Sequence, residues 1–159
     1  MINEFEKKIL LEINFAKKIL AIWNKYVDDK SNKPLFKKEE VKTMFTLLGL
    51  KYKNKGNSYD ITINHKNYRF EFHYLIRRNL IDAYIYIYID EELLRNGFNN
   101  MGFALNFLPY DKALAEQINT MRFGLNSFED LKNYTKDMYD LFDEFVGEYI
   151  KEIEAGNAL

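Results

Sequence analysis

The segment from Ile81 to Asp90 alternates in side-chain character without interruption over its whole length. Such alternation with a period of two, in β-branched and aromatic residues, predicts a β-strand with two different faces. One face is apolar and consists of Ile81, Ala83, Ile85, Ile87 and Ile89. The other face consists of Asp82, Tyr84, Tyr86, Tyr88 and Asp90. The apolar face requires a covering layer, and the contacts of the tyrosine row become the main question about function.

The segments before this strand predict an antiparallel meander over about residues 50–90. Two-residue turns are predicted at 56–57, 65–66 and 78–79. Under these turns Ile61 lies opposite Phe70, and Phe72 lies opposite Ile85. The turns place one apolar set on the same side: Leu50, Tyr52, Tyr59, Ile61, Ile63, Phe70, Phe72 and the isoleucine row. A shift of one residue would reverse the faces of a strand, so this agreement supports a four-stranded sheet.

The opposite face of the predicted sheet is polar and aromatic. The cross-strand neighbours expected there are Arg69 with Tyr88, Glu71 with Tyr86, and His73 with Tyr84. If a helix covers this face, the tyrosines belong to the interior. If none does, they form an exposed patch of a kind common in protein interfaces, because tyrosine buries a large ring at low entropic cost.

Helices are predicted on both sides of the meander. Apolar residues at spacings of three and four predict helices over 2–28 and about 37–48, and a shorter one over 110–122. The longest predicted helix covers 127–154, with Ser127 as its N-cap. Residues 98–108 are ambiguous, because Phe103, Leu105 and Phe107 alternate with other residues and would suit a fifth strand over 102–108.

These elements predict a single α+β domain over residues 1–159. Its sheet is an antiparallel meander of four strands, or five if 102–108 pairs. Two N-terminal helices and the long C-terminal helix pack on it.

Composition excludes several classes of function. The sequence has no cysteine, which excludes disulfides, thiolate nucleophiles and cysteine-ligated metal sites. Its seven glycines form neither of the common phosphate-binding patterns. The longest apolar run is far shorter than the ~20 residues that cross a bilayer, and the N-terminal residues do not resemble a signal peptide. We therefore expect a cytoplasmic protein without a membrane segment.

Charge is unevenly distributed along the chain. Residues 1–90 carry 17 Lys and Arg against 11 Asp and Glu, whereas residues 91–159 carry 6 against 13. Such asymmetry marks either an interaction surface or two halves that pair in the fold. The last predicted helix presents an acidic stripe of Asp137, Asp140, Glu144 and Glu148.

One cluster could carry chemistry. Glu71 and His73 project from the same predicted face, and Asp82 lies near them across a hairpin. Carboxylates and imidazole can bind a divalent metal or share acid–base work, so a small metal-dependent enzyme is one alternative. Nothing in the sequence supplies the remaining ligands. We therefore assign no catalytic residue, metal ligand or cofactor, and expect a protein that is not an enzyme.

A second alternative is binding of single-stranded nucleic acid on the lysine and tyrosine side of the sheet. The basic residues concerned are Lys51, Lys53, Lys55, Arg69, Arg77 and Arg78. Acidic residues share that face, namely Asp60, Glu71, Asp82 and Asp90, and the sequence pI is about 6.2. Nucleic-acid-binding domains usually carry a stronger basic bias, which disfavours this alternative.

The outline of helices, meander and long last helix resembles, at the level of fold alone, small bacterial or phage proteins that bind another protein. Secretion chaperones, immunity proteins and phage-encoded inhibitors are examples. The leading hypothesis is a non-enzymatic module that masks a partner protein stoichiometrically. The residues predicted to bind the partner are Tyr84, Tyr86, Tyr88, Asp137, Asp140, Glu144 and Glu148. The sequence leaves the partner's identity and a homodimer open.

Overall fold

The computed structural model describes residues 2–28, 36–77, 80–94, 100–120 and 122–157. The elements before the sheet are α1 (Glu4–Glu12), α2 (Phe15–Lys25), β1 (Val27–Asp28) and α3 (Lys38–Leu47). The sheet contains β2 (Lys53–Lys55), β3 (Ser58–His65), β4 (Tyr68–Arg77), β5 (Leu80–Ile89) and β6 (Glu92–Leu93). It is followed by a 3₁₀ helix (Met101–Asn106), α4 (Lys112–Thr120), β7 (Arg122–Phe123) and α5 (Phe128–Glu154).

The sheet is an antiparallel meander in the order β2-β3-β4-β5-β6, and β1 pairs separately with β7. The predicted α+β fold is therefore confirmed, with helices before the sheet and a long helix after it. The last helix starts as predicted, because the Ser127 hydroxyl accepts a hydrogen bond from the Asp130 amide at 3.0 Å. None of the described helices combines the length and the apolar composition needed to cross a membrane.

The register between β4 and β5 agrees with the prediction, with Phe72 opposite Ile85. The turn that joins them, at 78–79, lies outside the described residues. The predicted register between β3 and β4 is wrong by two residues, because the turn occupies Lys66 and Asn67. Ile61 therefore lies opposite Phe72. A shift of two residues leaves every side chain on its predicted face, so alternation alone could not detect it.

The predicted first helix is interrupted. It consists of α1 and α2, which meet at Ile13 and Asn14, and Asn14 adopts a left-handed conformation with φ of 55°. The second predicted helix is confirmed as α3, one residue shorter at each end. The predicted end of the first helix at residue 28 is also wrong, because α2 ends at Lys25 and Val27–Asp28 form strand β1.

Residues 102–108 do not form the fifth strand that alternation suggested. Most of this segment belongs to the 3₁₀ helix, which is capped by the side chain of Asn100. Asn100 itself forms an isolated bridge to Tyr84 of β5. The fifth strand is β6, which follows a tight turn at Asp90 and Glu91. Both turn residues have positive φ, as a type I′ hairpin turn requires.

The apolar face of the sheet forms the core together with α5 and α3. Phe72 contacts Phe142 of α5 at a centroid distance of 5.3 Å. Phe45 of α3 stacks on Tyr59 at 5.2 Å. Nearly all buried hydrophobic residues of the described chain belong to one cluster. The opposite face of the sheet points away from these helices.

Candidate functional site: the tyrosine face of the sheet

We call the polar side of the sheet, opposite to α5, the tyrosine face. Its members are contributed by β3, β4 and β5: Asp60, Arg69, Glu71, His73, Asp82, Tyr84, Tyr86 and Tyr88. Every one of them is half-buried. The backbone ladders of the inner strands fix the spacing of these side chains, so the surface is formed before any ligand arrives.

Aromatic contacts organise the centre of the face. The rings of Tyr84 and Tyr86 are parallel within 2°, with centroids 6.1 Å apart. His73 meets both rings edge-on, at 5.8 Å and 5.6 Å. The Arg69 guanidinium lies 3.7 Å from the centroid of Tyr88, a cation–π contact. The three cross-strand pairs expected from the sequence are all present.

Ion pairs connect the charged members of the face. Arg69 Nη1 lies 2.9 Å from Glu71 Oε2, and Arg69 Nη2 lies 3.2 Å from Glu91 Oε2. His73 Nδ1 and Asp60 Oδ1 are 2.6 Å apart and share a hydrogen bond. Burial raises the pKa of Glu71, and the neighbouring Asp60 carboxylate raises it further, although Arg69 and His73 oppose the rise. The raised pKa means that the Glu71 carboxylate takes up a proton more readily than a fully solvated one.

Contacts across the tyrosine face come from the face itself. Within the described ranges, its ring contacts, side-chain hydrogen bonds and ion pairs join its own members and Glu91, and the Tyr84 backbone also bridges to Asn100. Helix α5 packs on the other side, where Phe142 and Tyr149 contact strand β4. The described helices thus leave the tyrosines half-exposed, and their partial burial raises the pKa of Tyr86 and of Tyr88.

The chemical cluster differs from the one that sequence suggested. Asp82 lies opposite Leu75, and the carboxylate brought to Glu71 and His73 is that of Asp60. The predicted turn at 65–66 would already place Asp60 opposite Glu71, a member of the predicted cluster. In the structure Asp60 lies opposite His73. Asp60 could therefore have been included in the cluster from the sequence, and the turn at 66–67 decides only which of the two β4 residues it faces.

The acidic stripe of α5 lies among the helices, apart from the tyrosine face. Each of its carboxylates has a lysine partner in the chain. The pairs are Lys25–Asp137, Lys136–Asp140, Lys18–Glu144 and Lys151–Glu148. The Tyr26 hydroxyl also donates to Asp137 at 3.1 Å. Three stripe residues line a groove of about 220 Å³ between α2 and α5, with Ala21, Ile22 and Leu141 among its other lining residues.

The basic residues considered for nucleic acid lie at one edge of the sheet. Lys51, Lys53 and Lys55 are exposed around β2, and Lys53 lies opposite Asp60. Arg77 is exposed at the end of β4, and Arg78 lies outside the described residues. Arg69 is held by Tyr88 and two carboxylates. A continuous basic track along the tyrosines is therefore not formed by the described residues.

The geometry of this face and of the α5 stripe is the basis for any functional assignment. Comparison of the chain with protein-family models, with curated proteins and with solved structures finds no match in any of the three.

Proposed function

We propose that the protein is a non-enzymatic binding module that masks a partner protein stoichiometrically through its tyrosine face, in the manner of an immunity protein, inhibitor or chaperone. The observation that supports this proposal is an aromatic and charged sheet surface that the described helices leave half-exposed. Its rings are held in place by neighbours, as the edge contacts of His73 with Tyr84 and Tyr86 illustrate.

Preorganisation favours tight binding. A tyrosine that already packs against its neighbours loses little side-chain entropy when a partner covers it. The parallel rings of Tyr84 and Tyr86 form such a surface, and Tyr88 is covered on one side by Arg69. Residues of this type, at the centre of an interface, commonly dominate its binding energy.

Charge indicates the kind of partner. Away from the edge strand β2, whose Lys53 and Lys55 lie on the same side of the sheet, the tyrosine face has three carboxylates, from Asp60, Glu71 and Asp82, against the single guanidinium of Arg69. Asp90 and Glu91 add two exposed carboxylates in the adjoining turn. A basic partner surface would complement this pattern and would associate faster at low ionic strength.

We assign the partner-binding surface to the tyrosine face and not to the acidic stripe of α5. The stripe lies on the helical side of the sheet, and its carboxylates already pair with lysines of this chain, such as Lys18 and Lys25. A partner that used the stripe would have to displace those lysines.

The test begins with isolation of the partner by affinity purification from a lysate of the source cells. Tyr86→Ala is then compared with Tyr110→Ala in titrations with the purified partner. Tyr110 is 40% exposed but lies outside the sheet, so it is a matched control. We expect a 1:1 complex that Tyr86→Ala weakens by about thirtyfold, as for a central interface tyrosine, and that Tyr110→Ala leaves unchanged. Equal affinity of wild type and Tyr86→Ala would reject the tyrosine face as the interface.

A further inference from the structure

We propose that Asp60, Glu71 and His73 form a binding site for a divalent transition-metal ion of the Zn²⁺ type. The site lies on the tyrosine face, between strands β3 and β4. It is a separate property from the protein binding proposed above, and it can hold whether or not a partner protein uses this face.

The distances suit a shared ion. Each of the three residues offers one ligand atom, and these atoms all lie within 4.8 Å of one another. Asp60 and His73 are direct cross-strand partners, and Glu71 projects from the same face two residues along β4. Because β3 and β4 are both inner strands of the sheet, their backbones are held by hydrogen bonds on both sides. Only side-chain rotations are needed to close the ligands around an ion.

The donor set favours a transition metal. Imidazole nitrogen is a common ligand for zinc, copper, nickel and iron, whereas calcium and magnesium prefer oxygen ligands alone. The ion would take the place of the hydrogen now shared by His73 Nδ1 and Asp60 Oδ1, with the imidazole proton carried on Nε2. Three protein ligands leave at least one position for water or for a partner's side chain.

Other titratable clusters of the described chain are poorer candidates. Glu12, Glu148 and Glu152 also approach within 4.8 Å, but they include no imidazole, and Lys8 already pairs with two of them. The second histidine, His65, contacts Glu154, which also pairs with Lys66. An ammonium group in either place opposes a divalent cation.

Arg69 sets the affinity of the proposed site. Its guanidinium pairs with Glu71 and so competes with a metal for that carboxylate. Arg69 keeps two other contacts, with Tyr88 and Glu91, when Glu71 turns to an ion. Removal of this positive charge should therefore strengthen metal binding, a direction of change that general damage to the fold would not produce.

The experiment is a calorimetric titration of the metal-free full chain with Zn²⁺, and with Ca²⁺ for comparison. We expect one Zn²⁺ per chain and much weaker Ca²⁺ binding. His73→Gln and Asp60→Asn should each lower Zn²⁺ affinity by about a hundredfold, the upper range for loss of groups that support a metal. His65→Gln is the matched control and should leave the affinity unchanged.

Arg69→Gln keeps the proposal testable even if His73→Gln or Asp60→Asn fails to fold. It leaves all three ligands in place and should tighten Zn²⁺ binding by about tenfold. The proposal is overturned if wild type binds no Zn²⁺, if His65→Gln weakens binding as much as His73→Gln, or if Arg69→Gln binds Zn²⁺ no more tightly than wild type. Unchanged binding in both His73→Gln and Asp60→Asn would show that the ion is only adventitious.

Discussion

The Tyr74 hydroxyl lies in the centre of the protein, where strand β4 meets helix α5. Tyr74 and Thr135 are both fully buried, and their side-chain oxygens are 3.0 Å apart. Thr135 Oγ1 also lies 2.8 Å from the Leu131 carbonyl oxygen. Since a carbonyl can only accept, the single threonine proton goes to Leu131, and Tyr74 donates to Thr135. Burial raises the pKa of Tyr74 far above its ordinary value, so the hydroxyl stays protonated.

This chain of donors predicts unequal effects for two similar substitutions. Thr135→Val removes the acceptor of the buried Tyr74 hydroxyl and should lower the free energy of unfolding by about 2 kcal/mol. Tyr74→Phe removes that hydroxyl and leaves Thr135 bonded to Leu131, so about 1 kcal/mol is expected. Urea unfolding followed by circular dichroism measures both. Equal losses, or a larger loss for Tyr74→Phe, would contradict the assigned direction of the hydrogen bond.

Most residues of the candidate site could be placed from the sequence, because alternation determines which side of a strand a residue occupies. The Tyr84, Tyr86 and Tyr88 row and its partners on β4 followed directly. The contact of Asp60 with His73 could not be obtained in this way. It depends on which two residues form the turn after β3, and Lys66 adopts a positive φ that its residue type does not favour.

At the scale of elements, the junction of α1 and α2 depends on Asn14. Its backbone is left-handed and its side chain is exposed. Asparagine and glycine tolerate this conformation, whereas a β-branched residue is strained there. Asn14→Gly should therefore leave the free energy of unfolding nearly unchanged, while Asn14→Val should lower it by about 2 kcal/mol. Thermal unfolding of both variants measures the difference. Wild-type stability in Asn14→Val would mean that one continuous helix can replace the two.

The break at Asn14 was invisible in the apolar pattern. Ile9, Ile13, Ala16 and Leu20 keep helical spacing across the junction, and all four are buried. The apolar spacing thus identifies the buried residues correctly, but it cannot show whether the helix is continuous. The prediction of a strand over 102–108 was wrong for the opposite reason. Phe103 is 64% exposed and Phe107 is 39% exposed, so their alternation does not mark a buried face.

At the scale of the whole molecule, the uneven charge of the sequence is paired within the fold. Ion pairs connect the basic first part of the chain to the acidic last part: Lys8–Glu152, Lys18–Glu144, Lys25–Asp137 and Lys66–Glu154. Three of them join α1 or α2 to α5. The overall fold could be predicted because a meander and a long helix follow from local pattern. These ion pairs could not be predicted from the sequence, because they depend on how α1 and α2 dock against α5.

The docking of α2 on α5 can be tested through Lys18 and Glu144, whose side chains are 42% and 44% exposed. A double-mutant cycle of Lys18→Gln and Glu144→Gln should give a coupling free energy of about 0.5 kcal/mol at low salt, as expected for an exposed pair. In 1 M NaCl the Debye length falls to about 3 Å and the coupling should disappear. Urea unfolding at both salt concentrations measures it.

The matched control is a cycle of Lys18→Gln with Glu129→Gln, because Glu129 pairs with Lys132 within α5. Its coupling with Lys18 should be near zero at both salt concentrations. If Lys18 and Glu144 couple no more strongly than this control pair, α2 does not dock on α5 through the charges that the two halves of the sequence carry. Coupling confined to the Glu144 cycle would instead show that part of the charge asymmetry is used inside the molecule, where it holds α2 against α5.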